Sequence, residues 1–213
     1  MNKIVPFLLL TLLLQFSVQG SQEEVDRAAT TIRDFRNMPE KAIPRSVLRN
    51  ARGLAIMRVV KAGLVFSGKA GKGLLVARTA HGWSGPSFIA TGGAGWGAQI
   101  GAEVTDFVFL LNNRDAVRAF SKGGNINLGA DASVAAGPMG RDAQVAVTPT
   151  AAIYTYSRTK GLFAGASLEG AVIVTRDKEN TDYYGHPGTP ADILNGRVKP
   201  PPGVNVLRAA LGR

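Results

Sequence analysis

The segment Gly63-Leu-Val-Phe-Ser-Gly68-Lys69-Ala70 comes within one residue of the phosphate-loop pattern G-x4-G-K-[ST]. Its last position is alanine, so the hydroxyl that would hold Mg²⁺ is missing, and no helix follows to aim its N-terminus at phosphate. It reads as a glycine-lined hairpin with Lys69 and Lys72 at the tip. Serine occurs in two glycine turns, Gly82-Trp83-Ser84-Gly85 and Gly165-Ala-Ser167-Leu-Glu169-Gly170, and neither has the spacing of a nucleophile elbow. Neither has an evident base either, because the chain holds two histidines, His81 and His186, both in turn sequences. Glu103 and Asp106 are a pair that acid–base hydrolysis would need. Three positions apart on a strand, they face opposite sides. With no cysteine there is no disulfide, thiol nucleophile or cysteine-ligated metal. No catalytic residue, metal site or cofactor is expected, and the chain reads as non-enzymatic.

What remains is charge. The 213 residues carry 25 Lys and Arg against 15 Asp and Glu, a net charge of +10. Residues 41–102 hold nine cations and no acid: Lys41, Arg45, Arg49, Arg52, Arg58, Lys61, Lys69, Lys72 and Arg78. Residues 21–40 carry three bases and five acids, and residues 103–213 twelve and ten. The net charge therefore resides in one window, which is read as an anion-facing surface. Candidate anion-binding residues are Arg45, Arg49, Arg52, Arg58, Lys61, Lys69, Lys72 and Arg78. Nucleic acid is not expected, since Phe66 is the only aromatic between 41 and 82 and stacking platforms are absent.

The elements that must position these cations follow from local pattern. Lys3 precedes an apolar run from Ile4 to Leu14, then Gln15, Phe16 and Ser17 and small residues at Val18 and Gly20, the order of a secretory signal. As a helix the run reaches only about 16 Å against roughly 30 Å of hydrocarbon. The expectation is a signal peptide over 1–20, cleaved near Gly20, and a single domain over 21–213. Val25, Ala28, Ala29, Ile32, Phe35 and Met38 recur at helical spacing and predict a helix over 22–38. A second helix is expected from Pro44, closed by Gly53.

From Leu54 onward the pattern is strand-like. Leu54–Val60, Gly63–Ser67, Leu74–Arg78, Pro86–Thr91, Gln99–Leu111 and Gly165–Thr175 are apolar runs punctuated by glycine, as at Gly71 and Gly73. Asn125–Val134, Ala143–Val147 and Ala151–Tyr156 add polar-alternating strands, and Trp96 reads as a core filler. Asn113 caps a short helix through Phe120, and Thr189 caps another through Leu194. Lys199-Pro200-Pro201-Pro202 is a stiff connector, and Val204–Leu211 a last helix. The fold class is α+β: an antiparallel, strongly twisted or partly closed β-sheet with a few short helices and a helical N-terminal segment.

The order of short motifs resembles the SYLF domain family. Ile43-Pro44-x-x-Val47-Leu48-x-x-Ala51-x-Gly53-Leu54-Ala55-Ile56 is followed by Val65-x-Ser67-Gly68-x-x-Gly71-x-Gly73 and Trp83-Ser84-Gly85-Pro86. Gly95-x-Gly97-x-Gln99-Ile100-Gly101, Lys160-Gly161-Leu162-Phe163-Ala164-Gly165 and Asn180-x-x-Tyr183-Tyr184-Gly185 continue it, and Val198-Lys199-Pro200-Pro201 closes it. The resemblance implies a lipid-binding module whose eukaryotic relatives bind phosphoinositides and, in some cases, actin. It also implies membrane contact through the 22–38 helix and Arg45, Arg49 and Arg52.

The expected function is thus a non-enzymatic, lipid-binding domain that is exported and peripherally membrane-associated. Anionic membrane lipids would be its partner. Actin is not expected for an exported protein. The alternative is a structural or interaction protein of the cell envelope that meets an acidic polymer or protein.

Overall fold

The computed structural model describes residues 4–38, 42–63, 66–96, 101–121, 125–127, 134–136, 151–161 and 172–212. Helix α1 (Ile4–Asn37) is followed by α2 (Arg45–Asn50), and the chain then enters the sheet with β1 (Gly53–Gly63) and β2 (Phe66–Thr79). The remaining strands are β3 (Gly82–Trp83), β4 (Ser87–Trp96), β5 (Gly101–Leu111), β6 (Asn125–Asn127), β7 (Val134–Ala136), β8 (Ile153–Gly161) and β9 (Val172–Thr175). Helix α3 (Arg114–Ser121) follows β5. Helices α4 (Asp177–Tyr184) and α5 (Pro190–Leu194), a 3₁₀ turn at Pro202–Val204 and α6 (Asn205–Leu211) end the chain. The sheet order is β6-β9-β4-β2-β1-β5-β8-β7, with β3 paired to β2. Every pairing is antiparallel except β7 with β8. No pairing among the described residues joins its two ends, so this α+β sheet stays open.

Strand alternation divides the core. On the upper face Leu54, Ile56, Leu74, Val76, Phe88, Val108, Leu110, Tyr154 and Tyr156 pack against α1, α2, α4 and α6. Helix α1 contributes Val25, Ala28, Ala29, Ile32 and Phe35, all buried. On the lower face Ala55, Met57, Leu75, Ile89, Phe107, Phe109 and Leu111 pack against Ala116 and Phe120 of α3 and Leu194 of α5. Each fully buried Leu, Ile or Phe contributes about 1.5–3 kcal/mol.

Several local expectations are corrected. Gly53 does not cap α2: Ala51 does, and Gly53 is the first residue of β1. Gly71 and Gly73 do not separate strands. They lie inside the 14-residue β2, where a Cβ on Gly73 would collide with the Ile56 carbonyl oxygen. Glycine there lets β2 close tightly on β1 rather than break. Lys69 and Lys72 are accordingly within β2, not at a hairpin tip. The 22–38 helix is part of the longer α1, and α4 was not foreseen. Caps at Asn113 and Thr189 form as expected, accepting from Ala116 N (2.7 Å) and Asp192 N (3.1 Å). The Trp96 side chain, Ser167 and strand Ala143–Val147 lie outside the described residues.

One row of charges fixes α1 on the sheet. Lys72, Arg58, Asp106 and Arg158 stand opposite one another on β2, β1, β5 and β8. Arg58 grips Asp106 with two bonds, 2.6 and 3.0 Å, and Arg158 adds a third at 3.1 Å. Above them Asp34 of α1 accepts from Arg158 (2.7 Å), and Glu24 meets Lys72 (3.5 Å) and Arg176 (2.9 Å). The four strands span about 14 Å, three spacings of roughly 4.8 Å. Glu24 and Asp34 are ten helical residues apart, about 15 Å. The helix therefore lies across the strands, with its two carboxylates over the two ends of the row.

Burial alone would raise the Asp106 pKa. The hydrogen bonds from Arg58 and Arg158 outweigh it and hold the carboxyl below its ordinary range. Asp106 thus stabilises the fold above the unfolded value of about 3.9, and that contribution is lost as pH falls through the folded pKa. Asp106→Asn leaves the Arg58 guanidinium uncompensated and Arg158 with Asp34 alone. Because Arg58 is partly hydrated, the expected loss at neutral pH is about 2–3 kcal/mol, or roughly 4–12 °C in Tm. The gap between wild type and variant should narrow below about pH 4. Thermal melts across pH check this, and a gap that widens in acid would contradict it.

Candidate functional site

At one end of the strands, backbone pairing gathers arginines from separate parts of the chain. The Arg52 amide donates to the Leu111 carbonyl (2.7 Å), and the Arg52 carbonyl accepts from the Arg78 amide (2.8 Å). Arg52 is therefore fixed between the ends of β5 and β2. Beyond Leu111 the Asn113 cap starts α3, which carries Arg114 and Arg118 one turn apart. On the other side, the Ile43 amide donates to the Phe35 carbonyl (3.3 Å) and folds the chain back beside the end of α1. Pro44 then starts α2, which buries Val47 and Leu48 and turns Arg45 and Arg49 outward.

Two cavities open here. One, of about 680 Å³ and on the lower-face side, is lined by Arg52, Arg78, Arg114 and Arg118 with Thr79 and Asn195. The other, of about 450 Å³ and on the upper-face side, is lined by Arg33, Arg36, Arg45, Arg49 and again Arg78. Four arginines in one and five in the other, sharing Arg78, make eight. Arg78 lies at the strand end between them, its guanidinium 4.0 Å from the centroid of the buried Trp83 ring. Such a stack is worth about 0.5–2 kcal/mol. Burial lowers the Arg78 pKa, and among the described residues no carboxylate pairs with it. Arg33 and Arg36 donate to carbonyls of α6, those of Val206 and Ala210, and Arg118 pairs with the exposed Asp115. Arg45, Arg49, Arg52 and Arg114 have no ion pair among the described residues.

Of the residues singled out by composition, the structure brings Arg45, Arg49, Arg52 and Arg78 together. It takes Arg58 and Lys72 into the row beneath α1, where Asp106 and Glu24 neutralise them. Lys61 and Lys69 sit opposite each other on the lower face. They lie eight and nine residues along their strands from this end, about 27–30 Å away. Lys61 also stands opposite Glu103 on β5. Lys41 lies outside the described residues. Arg33, Arg36, Arg114 and Arg118 were missed because each pair sits among acids in sequence. Their signal was spacing: i,i+3 and i,i+4 on helices.

The alternative chemical groups are placed apart. The Ser84 hydroxyl accepts from Ala77 N and donates to the Gly85 carbonyl. His81 and His186 are exposed in separate turns. Glu103, bonded by Thr105, and Asp106 project to opposite faces.

Comparison with known proteins then supplies a family. Residues 92–213 match the family model described as "Ysc84: Las17-binding protein actin regulator". LAS seventeen-binding protein 3 of Saccharomyces cerevisiae is 50% identical over 173 residues, 79% of this chain and 38% of that protein. Protein YSC84 of the same yeast is 47% identical over 196 residues, 87% of this chain and 42% of its own. Human SH3 domain-containing YSC84-like protein 1 is 44% identical over 188 residues, 84% and 55%. The chain thus spans about two-fifths of the yeast relatives and rather more than half of the human one. One yeast relative is named as a binding protein, and the family is described as binding Las17 and regulating actin. Those names correct the expectation that anionic membrane lipids are the partner and that actin is not. They point to protein partners.

Because Arg78 lies on Trp83, Trp83 emission reports on it. In a Trp96→Phe background, Arg78→Ala should shift that emission, whereas Arg45→Ala should leave it unchanged. Unchanged emission in the folded Arg78→Ala protein would mean that the stack does not form in solution.

Proposed function

The chain belongs to the Ysc84 family, the SYLF family of the resemblance above, and from that membership we propose that it is a non-enzymatic domain which binds an acidic protein surface through its arginine end. The observation that carries this reading is the convergence of eight arginines from α1, α2, β2, α3 and the turn before β1, of which only Arg118 has an ion-paired carboxylate among the described residues. Cations that serve the fold have partners, as Arg58, Arg158 and Arg176 do. A cluster left without them is complementary to an external anion. The family description and the name of one yeast relative supply the partner class: a protein, Las17, with actin as what the family is described as regulating. The charge of the site requires the contacted patch to be acidic. A non-catalytic reading is supported by the separation of Ser84, the two histidines and the carboxylates.

The N-terminal export signal stands beside this as a second, independent proposal. Gly20 is exposed, and Ser21, Glu24 and Val25 begin the buried series of α1. Cleavage near Gly20 would retain Val25, Ala28, Ala29, Ile32 and Phe35, the described α1 side chains buried in the upper core. Intact-mass measurement of the secreted fraction should give a chain starting near Ser21. Recovery of the full-length chain from that fraction would refute cleavage.

Co-sedimentation of residues 21–213 with actin filaments tests the interaction reading. Charge reversal at the exposed Arg45, Arg49 and Arg52 should weaken binding at least about tenfold, and added salt should act in the same direction. Lys69→Glu, at the far end of the sheet, should bind like wild type. Undiminished binding by the triple variant, folded by circular dichroism, would sink the proposal.

A further inference from the structure

Resting on that reading of the arginine end, we propose that its ligand is an extended peptide segment carrying closely spaced carboxylate side chains. The segment lies from one cavity to the other around the end of β2, and Arg78 anchors its middle. A broad folded surface does not fit the geometry. The two cavities lie on opposite faces of the sheet and meet only at Arg78. A partner touching both must turn around a strand end, which a single extended chain can do.

The lining defines the chemistry. Every cation is arginine, none lysine, and the planar guanidinium fork matches a carboxylate in bidentate geometry where an ammonium does not. Beneath the arginines each cavity has an apolar floor: Ile43, Leu48 and Leu211 in one, Ala77, Val117 and Leu194 in the other. Those floors are almost fully buried by the fold apart from Val117, so recognition falls on the carboxylates, and an apolar chain would leave the guanidiniums unpaired. Arg78 is the natural anchor because its plane is already held against Trp83. A ligand carboxylate therefore finds the fork pre-positioned, at a small ordering cost.

The probe is a labelled peptide of Glu-Leu-Glu-Ser repeats, about twelve residues and some 40 Å when extended, followed by fluorescence anisotropy with residues 21–213. The repeat with Gln for Glu should bind more weakly. Arg78→Lys keeps the charge but loses the fork and should weaken binding about tenfold to a hundredfold. Arg45→Gln and Arg114→Gln, exposed and in different cavities, should each weaken it too. The inference is overturned if Arg78→Lys binds like wild type, or if only one of the two glutamine variants matters. It is also overturned if pyrophosphate or phosphatidylserine vesicles bind in an Arg78-dependent way while the peptide does not. If the peptide fails but actin filaments still bind the wild type and not the Arg45, Arg49, Arg52 reversal, the extended-segment inference falls and the interaction reading stands. If both fail, both fall.

Discussion

Asp106 is the constraint on which the arrangement depends. A carboxylate with 3% of its surface exposed is tolerable only when its lone pairs are engaged, and Arg58 and Arg158 engage them from either side. Arg158, once drawn to Asp106, presents its other nitrogen upward to Asp34, so the sheet and α1 share one guanidinium. At the far end of the row Lys72 and Arg176 hold Glu24. The apolar stripe of α1 gives adhesion, since hydrophobic contact is non-directional. The charge row gives it an azimuth. That azimuth decides where α1 ends, and Arg33, Arg36 and the reversal at Ile43 are delivered to the arginine end as a consequence.

The local elements were legible because their causes are local. Asn113 and Thr189 as caps, the apolar stripe of α1 and the opposed faces of Glu103 and Asp106 each follow from a few adjacent residues. The misreading of Gly71 and Gly73 has one cause, that glycine has two opposite uses. At Gly73 it permits close approach of two strands within an unbroken ladder, and nothing in the adjacent residues distinguishes that from a turn. Gly85 is similar: a Cβ there would strike the Tyr184 hydroxyl, which arrives from α4, almost a hundred residues later. Helix α4 itself has no apolar stripe. It is held by Arg176 and Glu179 and by Asn180, whose side chain accepts from the Phe88 amide.

The charge pattern was half legible for a related reason. The acid-free window from 41 to 102 is real in sequence, but a strand finds its partners across the sheet. The acids that neutralise Arg58 and Lys72 come from β5 and from α1. Counting along the chain therefore overstates the free charge in the middle of β1 and β2. It understates the charge at their ends, where helices with mixed composition add Arg33, Arg36, Arg114 and Arg118. Position along the strand separates the two populations: cations beneath α1 are paired, and those at the strand end mostly are not.

That separation has an energetic logic. Gathering eight guanidiniums is repulsive, and the repulsion is moderate only because most of them remain in water, where like charges several ångströms apart cost about 1 kcal/mol or less per pair. Arg78 is the exception, half-buried and unpaired, and its cost is offset by the face of Trp83. A protein under selection for stability alone would place a carboxylate there, as it does for Arg58 and Arg158 with Asp106. The same chain thus contains the solution and, at the strand end, declines to use it. Marginal stability elsewhere cannot explain this, because α1 and the two cores are buried and the charge row is ion-paired along its length. On the proposed function, the arginine end gives up stability for recognition, and the carboxylate missing at Arg78 would come from the bound partner.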